Sequence, residues 1–312
     1  FSRIIGSQQR WLRGGGAPSG RTDCGGAMAS GTQGESCAGG VGSQFFVQHV
    51  AVGGIIMRAI ILAAGRGSRM GDLTEEYPKC LTQFAGRTLL EWQLSALRAA
   101  GIQDIAVVRG YRAETINPSD CIWFENPDWA KTNMVSTLAC ASQWLERDDC
   151  IVSYSDIVYH PEILQRLILH PGELVISYDQ QWLPLWSERF ENPLMDAETF
   201  RLGQNGALES IGNRAQTVSD IQGQYMGLLK FTPAGWRQVE ALLDNLPQER
   251  RNQLDMTSLL QLLLEDGTNI DTTPVNGRWC EVDSENDLRL YENKLDHLDW
   301  THDWRWETAV TA

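Results

Sequence analysis

The segment Ala59-Ile60-Ile61-Leu62-Ala63 is apolar at every position, and a glycine-rich loop, Gly65-Arg66-Gly67-Ser68-Arg69-Met70-Gly71, follows it at once. A strand with no polar face must be covered on both sides, which predicts a central strand of a parallel sheet. Residues 88–97 have the amphipathic pattern of a helix that stops at Gly101. Residues 104–108 and 121–124 predict the second and third strands. Residues 132–145 predict a helix, with Met134, Leu138, Ala141 and Leu145 at helical spacing. A fourth strand at 150–154 delivers Asp156 at its end, and a fifth covers 174–177. This alternation predicts an α/β chain: a mainly parallel, mixed sheet with helices on both faces.

Beyond 180 the pattern changes. Residues 180–222 are polar, carry Trp182 and Trp186, and predict a small β insertion containing a hairpin. A core strand at 225–231, two helices (233–245 and 255–265), a last strand pair near 270–282 and a helix from Glu285 to about Leu298 complete the body, 57–298. The tail 299–312 holds Trp300, Trp304 and Trp306, and is expected to dock on the body or on a second subunit of a homodimer. Residues 1–56 have no apolar periodicity and hold 14 of the 29 glycines. They are read as a disordered or cloning-derived leader, or a translated upstream region, outside the fold.

Charge excludes some partners. Residues 57–312 carry 22 basic and 38 acidic side chains, a net of −16. A surface this acidic repels phosphate backbones, so nucleic acid is not an expected partner. No apolar run reaches the ~18–20 residues of a membrane span. Seven scattered cysteines without CxxC spacing fit neither a disulfide framework nor a zinc site, and the expected location is the reducing cytoplasm.

Three readings compete for the loop at 62–70. A Walker A loop needs G-x-x-x-x-G-K-[ST], which is absent. A dinucleotide fingerprint fits Gly65 and Gly67, but its sixth position is Met70, and Glu91 lies inside a helix rather than at a strand end. The third is a triphosphate cradle, with backbone N–H groups from small residues and fixed charge from Arg69 and Lys79. A plain glycine turn with solvated basic residues stands beside it.

Leu62-Ala63-Ala64-Gly65-x-Gly67-x-Arg69 with Pro78-Lys79 resembles the signature of the nucleotidylyltransferases that activate sugar phosphates and phosphocholine. The resemblance spans 57–297 and takes in Gly110-Tyr111, Asn133, Asp156 and Glu281-Val282-Asp283. Lys131-Thr132-Asn133-Met134-Val135, the run 153–159, Asn192-Pro193-Leu194 and Trp279-Cys280-Glu281 are similar to the cytidylyltransferases of capsule modification that act on phosphoglutamine. The resemblance implies a Rossmann-like (GT-A-like) fold. It implies attack by an acceptor phosphate on the α-phosphorus of CTP, or another nucleoside triphosphate, with release of pyrophosphate. Arg69 and Lys79 are the implied catalytic cations. Leu62, Ala63, Ala64, Gly65, Arg66, Gly67, Ser68, Gly110, Tyr111 and Asn133 would surround the nucleotide. Asp156 and Asp283 would hold Mg²⁺, with Glu281 as a helper. Asp156, Asp283 and Asn133 also read as helix N-caps.

Trp182, Trp186, Arg189, Asp196, Glu198 and Tyr225 lie in or beside the insertion, and Glu281 is expected on the acceptor side with them. Aromatic rings near carboxylates suit an ammonium group, and Arg189 suits a carboxylate or phosphate, so they are expected on the acceptor side. Two other functions are kept: a sugar-1-phosphate nucleotidylyltransferase, and a nucleotide-binding regulatory module without turnover.

Overall fold

The computed structural model describes residues 56–306. The leader expected at 1–56 therefore lies outside the described residues except for Ile56, and the tail is described as far as Trp306.

Seven strands form the main sheet: β1 Met57–Ala63, β2 Ile105–Arg109, β3 Ile122–Glu125, β4 Asp149–Tyr154, β5 Leu174–Asp179, β6 Gln224–Phe231 and β7 Asp271–Val275. Their spatial order is β7-β5-β6-β4-β1-β2-β3. β1 pairs in parallel with β2 and β4, β2 with β3, and β5 with β7. β6 runs antiparallel to both its neighbours, β4 and β5. The sheet is thus mainly parallel and mixed, as its sequence pattern predicts. Ala59, Ile60 and Ile61 are fully buried, because β1 is central and covered on both faces. Burial of each isoleucine contributes about 1.5–3 kcal/mol.

The helix Leu89–Ala99 starts at Thr88, whose side chain and that of Glu91 form a reciprocal capping box, and it ends before Gly101 at φ 93°. The helix expected over 132–145 is two pieces, Met134–Ala139 and Ser142–Leu145. Cys140 and Ala141 bond three residues back, which tightens and ends the first piece. The insertion holds a helix, Trp182–Arg189, besides the hairpin of Glu198–Leu202 with Leu208–Arg214.

The strand pair expected near 270–282 does not pair with itself. β7 joins β5, whereas Trp279–Glu281 crosses over to pair antiparallel with Ile157–Tyr159. The turn between them is held from outside: the fully buried Asp179 carboxylate accepts from Gly277 N at 3.0 Å, Trp279 Nε1 at 3.0 Å and His302 Nε2 at 2.9 Å. The tail docks on the chain's own body, where Trp304 is fully buried and stacks on Phe84 with ring centroids 4.4 Å apart.

Candidate active site

β1 connects towards β2 and β3 on one side, while β4 lies on its other side, so the strand order reverses between β1 and β4. In open α/β sheets the crevice at the carboxyl ends of such strands is where ligands bind. Register fixes what stands there. Leu62 pairs with Tyr154, so the glycine loop leaves β1 beside the segment Ser155-Asp156 that leaves β4.

The loop is held open by specific contacts. Met70 is buried as an anchor, and the buried Thr74 hydroxyl donates to Gly67 O at 3.1 Å and Gly71 O at 3.3 Å. Gly67 has φ 74°, and a Cβ there would sit 2.6 Å from the Lys79 Cβ. The loop thus rests directly on the lysine stem. Gly67→Ala places an L-residue in the left-handed region and drives it into Lys79. We expect kcat/KM for the transfer that the resemblance implies to fall by at least about 10²-fold, since ångström-scale misplacement costs that much. The melting curve should move by only a few degrees. Wild-type kinetics in this variant would show that loop and lysine are independent.

Lys79 follows Pro78 in a short 3-10 turn, and its ammonium is buried. Nζ lies 2.8 Å from Asp156 Oδ2 and 2.5 Å from Asp283 Oδ1. The other Asp283 oxygen pairs with Arg69, whose side chain is 71% exposed. Burial alone would lower the Lys79 pKa, but the charges of Asp156, Asp283 and Glu281 outweigh it and hold the ammonium above its ordinary value. The two aspartates are separated by 127 positions, and the ribbon of Ile157–Tyr159 with Trp279–Glu281 joins them, closed by Val282 N donating to Asp156 O at 2.8 Å. Neither aspartate is a helix cap. His160 caps Pro161–Leu169, and Ser284 with Asp287 caps Glu285–Lys294, so both carboxylates are left for the cleft.

The cleft is lined by Leu62, Ala64, Gly65, Gly67, Ser68, Arg69, Lys79, Asn133, Asp156 and Asp283, ten of the residues expected around nucleotide and metal. Ala63, Arg66, Gly110 and Tyr111, also expected around the nucleotide, do not line it. Tyr111 N donates to Ala64 O at 2.9 Å, and a Cβ on Gly110 would meet that oxygen at 2.7 Å, so this pair braces the loop from the next strand. Asn133 caps Met134–Ala139 through Met134 N and also faces the cleft.

Trp129, Thr132, Met134, Thr137, Tyr154 and Ser155 also line the cleft, beyond the residues expected there. Buried Asn126 organises that wall, donating to Thr132 Oγ1 and Thr137 Oγ1 at 3.0 Å each. No motif announces Asn126; its position one residue beyond β3 is the only signal.

None of the seven residues expected on the acceptor side lines this cleft. Trp182 and Trp186 are buried in the core, and Trp186 Nε1 donates to Asp196 at 3.0 Å. Arg189, with a side chain 1% exposed, binds both Asp287 oxygens (2.9 and 3.2 Å) and Glu281 at 3.0 Å, and stacks over Trp186. Trp182, Trp186, Arg189 and Asp196 therefore fasten the insertion to the body instead of lining the cleft: both tryptophans belong to the continuous core, and Trp186 packs on Trp279. Glu281 is turned towards Arg189, and its carboxyl is pushed up to about 6 by burial, against the pull of Arg189 and with help from Asp156. Tyr225 packs edge-on to Tyr154, centroids 5.9 Å apart, and Glu198 begins the insertion hairpin.

A MobA-like NTP transferase domain model matches residues 59–218. The chain belongs to the MobA-like NTP transferase family. This nucleotidyltransferase is 39% identical to the CTP:phosphoglutamine cytidylyltransferase of Campylobacter jejuni over 76% of its own length and 100% of that protein. It is 32% identical to the choline-phosphate cytidylyltransferase of Haemophilus influenzae over 41% of its length and 58% of that protein. Its fold matches the inositol-1-phosphate CTP transferase of T. maritima with a TM-score of 0.61 at 18% identity, covering 77% of this chain and 96% of that one.

Among the described residues no group of three or more His, Cys, Asp and Glu converges. Two carboxylates do, and Asp156 Oδ1 is buried without a hydrogen-bond partner. That set fits Mg²⁺, which is held by one or two carboxylates and completes its octahedron with phosphate oxygens and water. No helix among the described residues is long and apolar enough to cross a membrane.

Proposed function

We propose that this transferase moves CMP from CTP to a small phosphorylated acceptor with an amino-acid-like head, phosphoglutamine before phosphocholine or 2-aminoethylphosphonate. The single observation that carries the reading is the convergence of Lys79, Arg69, Asp156 and Asp283 under the glycine loop at the switch point of the sheet. The choice of CTP and of acceptor is supported by end-to-end similarity to the phosphoglutamine enzyme.

An acceptor phosphate oxygen attacks the α-phosphorus, the bond between α-phosphorus and the bridging oxygen breaks, and pyrophosphate leaves. The attacking oxygen is already an anion near neutral pH, so positioning and charge neutralisation supply the catalysis. The loop N–H groups and Arg69 hold the β- and γ-phosphates. Lys79 neutralises charge at the α-phosphorus. Asp156 and Asp283 would hold Mg²⁺, which when bound would supply positive charge against the triphosphate. Asn133 and Gly110-Tyr111 bound the nucleoside side. Tyr225 and Glu198 would take the ammonium end of the acceptor. The reaction belongs in the cytoplasm, where CTP is made.

The test is pyrophosphate release with Mg²⁺, each of the four common nucleoside triphosphates, and phosphoglutamine, phosphocholine, 2-aminoethylphosphonate or glucose 1-phosphate. CTP with phosphoglutamine should give the highest kcat/KM, and preference for glucose 1-phosphate would replace this reading. Glu198→Gln should raise KM for phosphoglutamine by up to about fivefold, the size of one exposed ion pair, and leave KM for CTP unchanged. Equal effects on both substrates would remove Glu198 from the acceptor site.

A further inference from the structure

Three of the four carboxylate oxygens of Asp156 and Asp283 already meet a cation. Lys79 Nζ is 2.8 Å from Asp156 Oδ2 and 2.5 Å from Asp283 Oδ1, and Arg69 holds Asp283 Oδ2. Only Asp156 Oδ1 has no partner. Two converging, partly buried carboxylates repel unless a cation sits between them. The point close to both is the one Lys79 Nζ takes, since Arg69 reaches Asp283 alone. A Mg²⁺ ion bonded to the same oxygens at about 2.0–2.1 Å would lie within about 4 Å of that ammonium, where like charges repel strongly in a poorly hydrated cleft. One of the two must move. The Lys79 stem is pinned by Gly67, so only the end of the side chain is free to swing.

We propose that Lys79 stands in the divalent-cation position of the free enzyme, as the counter-ion that keeps Asp156 and Asp283 together, and is displaced towards the substrate phosphates when metal enters. The lysine thus has two posts, and the ion exchange between them couples metal binding to the arming of the phosphate site. This rests on the metal-dependent reading above.

Mn²⁺ affinity without nucleotide, read from the free-ion EPR signal, tests it. Lys79→Met should bind Mn²⁺ more tightly than the wild type by at least about tenfold, the effect of removing one adjacent cation from a carboxylate. Arg69→Met should gain less. Equal or weaker binding by Lys79→Met overturns the proposal. Should that variant not fold, Lys79→Gln takes its place, and the wild type supplies a second measurement. Acylation of Lys79, followed by mass spectrometry, should be slow in the free enzyme and rise at least about tenfold on adding Mn²⁺ alone, by release of the same ion-pair protection. An unchanged rate overturns the exchange. If Asp156→Asn and Asp283→Asn lose turnover while Lys79→Met binds Mn²⁺ no better, this inference alone falls. If the aspartate variants keep full turnover, the metal reading falls with it.

Discussion

Asp283→Asn is expected to lower kcat/KM for pyrophosphate release by about 10³-fold, at or above the loss seen when one preorganised electrostatic group is removed. Asp283 is 7% exposed and touches Lys79 through one oxygen and Arg69 through the other. Asparagine has the same shape but no charge, so both cations lose their common partner, and a divalent metal held there would lose an anionic ligand. The fold should survive, because the neighbouring helix is capped by Ser284 and Asp287 and not by Asp283. The thermal midpoint should therefore stay within a few degrees of the wild type. Turnover within tenfold of the wild type would remove Asp283 from the chemistry.

Arg189→Ala is expected to act on stability. Its guanidinium ties the insertion helix to Asp287 and Glu281, both of which lie more than ninety positions away in sequence. Removing it strands two carboxylates that are poorly solvated, and breaking a buried pair from one side costs about 3–5 kcal/mol. Denaturant unfolding should show that loss as a lower midpoint. Under native conditions, KM for the acceptor should change little in the fraction that remains folded. A large rise in acceptor KM with unchanged stability would return Arg189 to the acceptor site.

The contrast between these residues shows what was legible in the sequence. β1, its glycine loop and the strands at 105–109 and 149–154 announce themselves, because two-sided burial leaves an unbroken apolar run and a tight phosphate loop needs glycine. Lys79 and Arg69 stand out as cations next to that loop in an acidic chain. Asp156 and Asp283 do not declare their partnership by spacing. The ribbon that joins them, 157–159 with 279–281, is a long-range pairing that periodicity does not encode, and only the family resemblance linked them. The insertion misled for a physical reason. A tryptophan pair, an arginine and nearby carboxylates describe an ammonium-binding pocket and a small packed core equally well. Burial decides between them, and burial of Arg189 depends on Asp287 in another element. Asn126 and Thr74, which shape the cleft wall and the loop through hydrogen bonds, belong to no motif and were visible only once their partners were placed.

The most direct measurement of the central claim follows the label of α-³²P CTP incubated with the protein, Mg²⁺ and phosphoglutamine. The label should move into a CMP–phosphoglutamine diphosphate, with one pyrophosphate formed for each label transferred and none without divalent metal. Label that stays in CTP, or that leaves as free CMP with no acceptor adduct, would contradict nucleotidyl transfer by the Lys79–Asp156–Asp283 site.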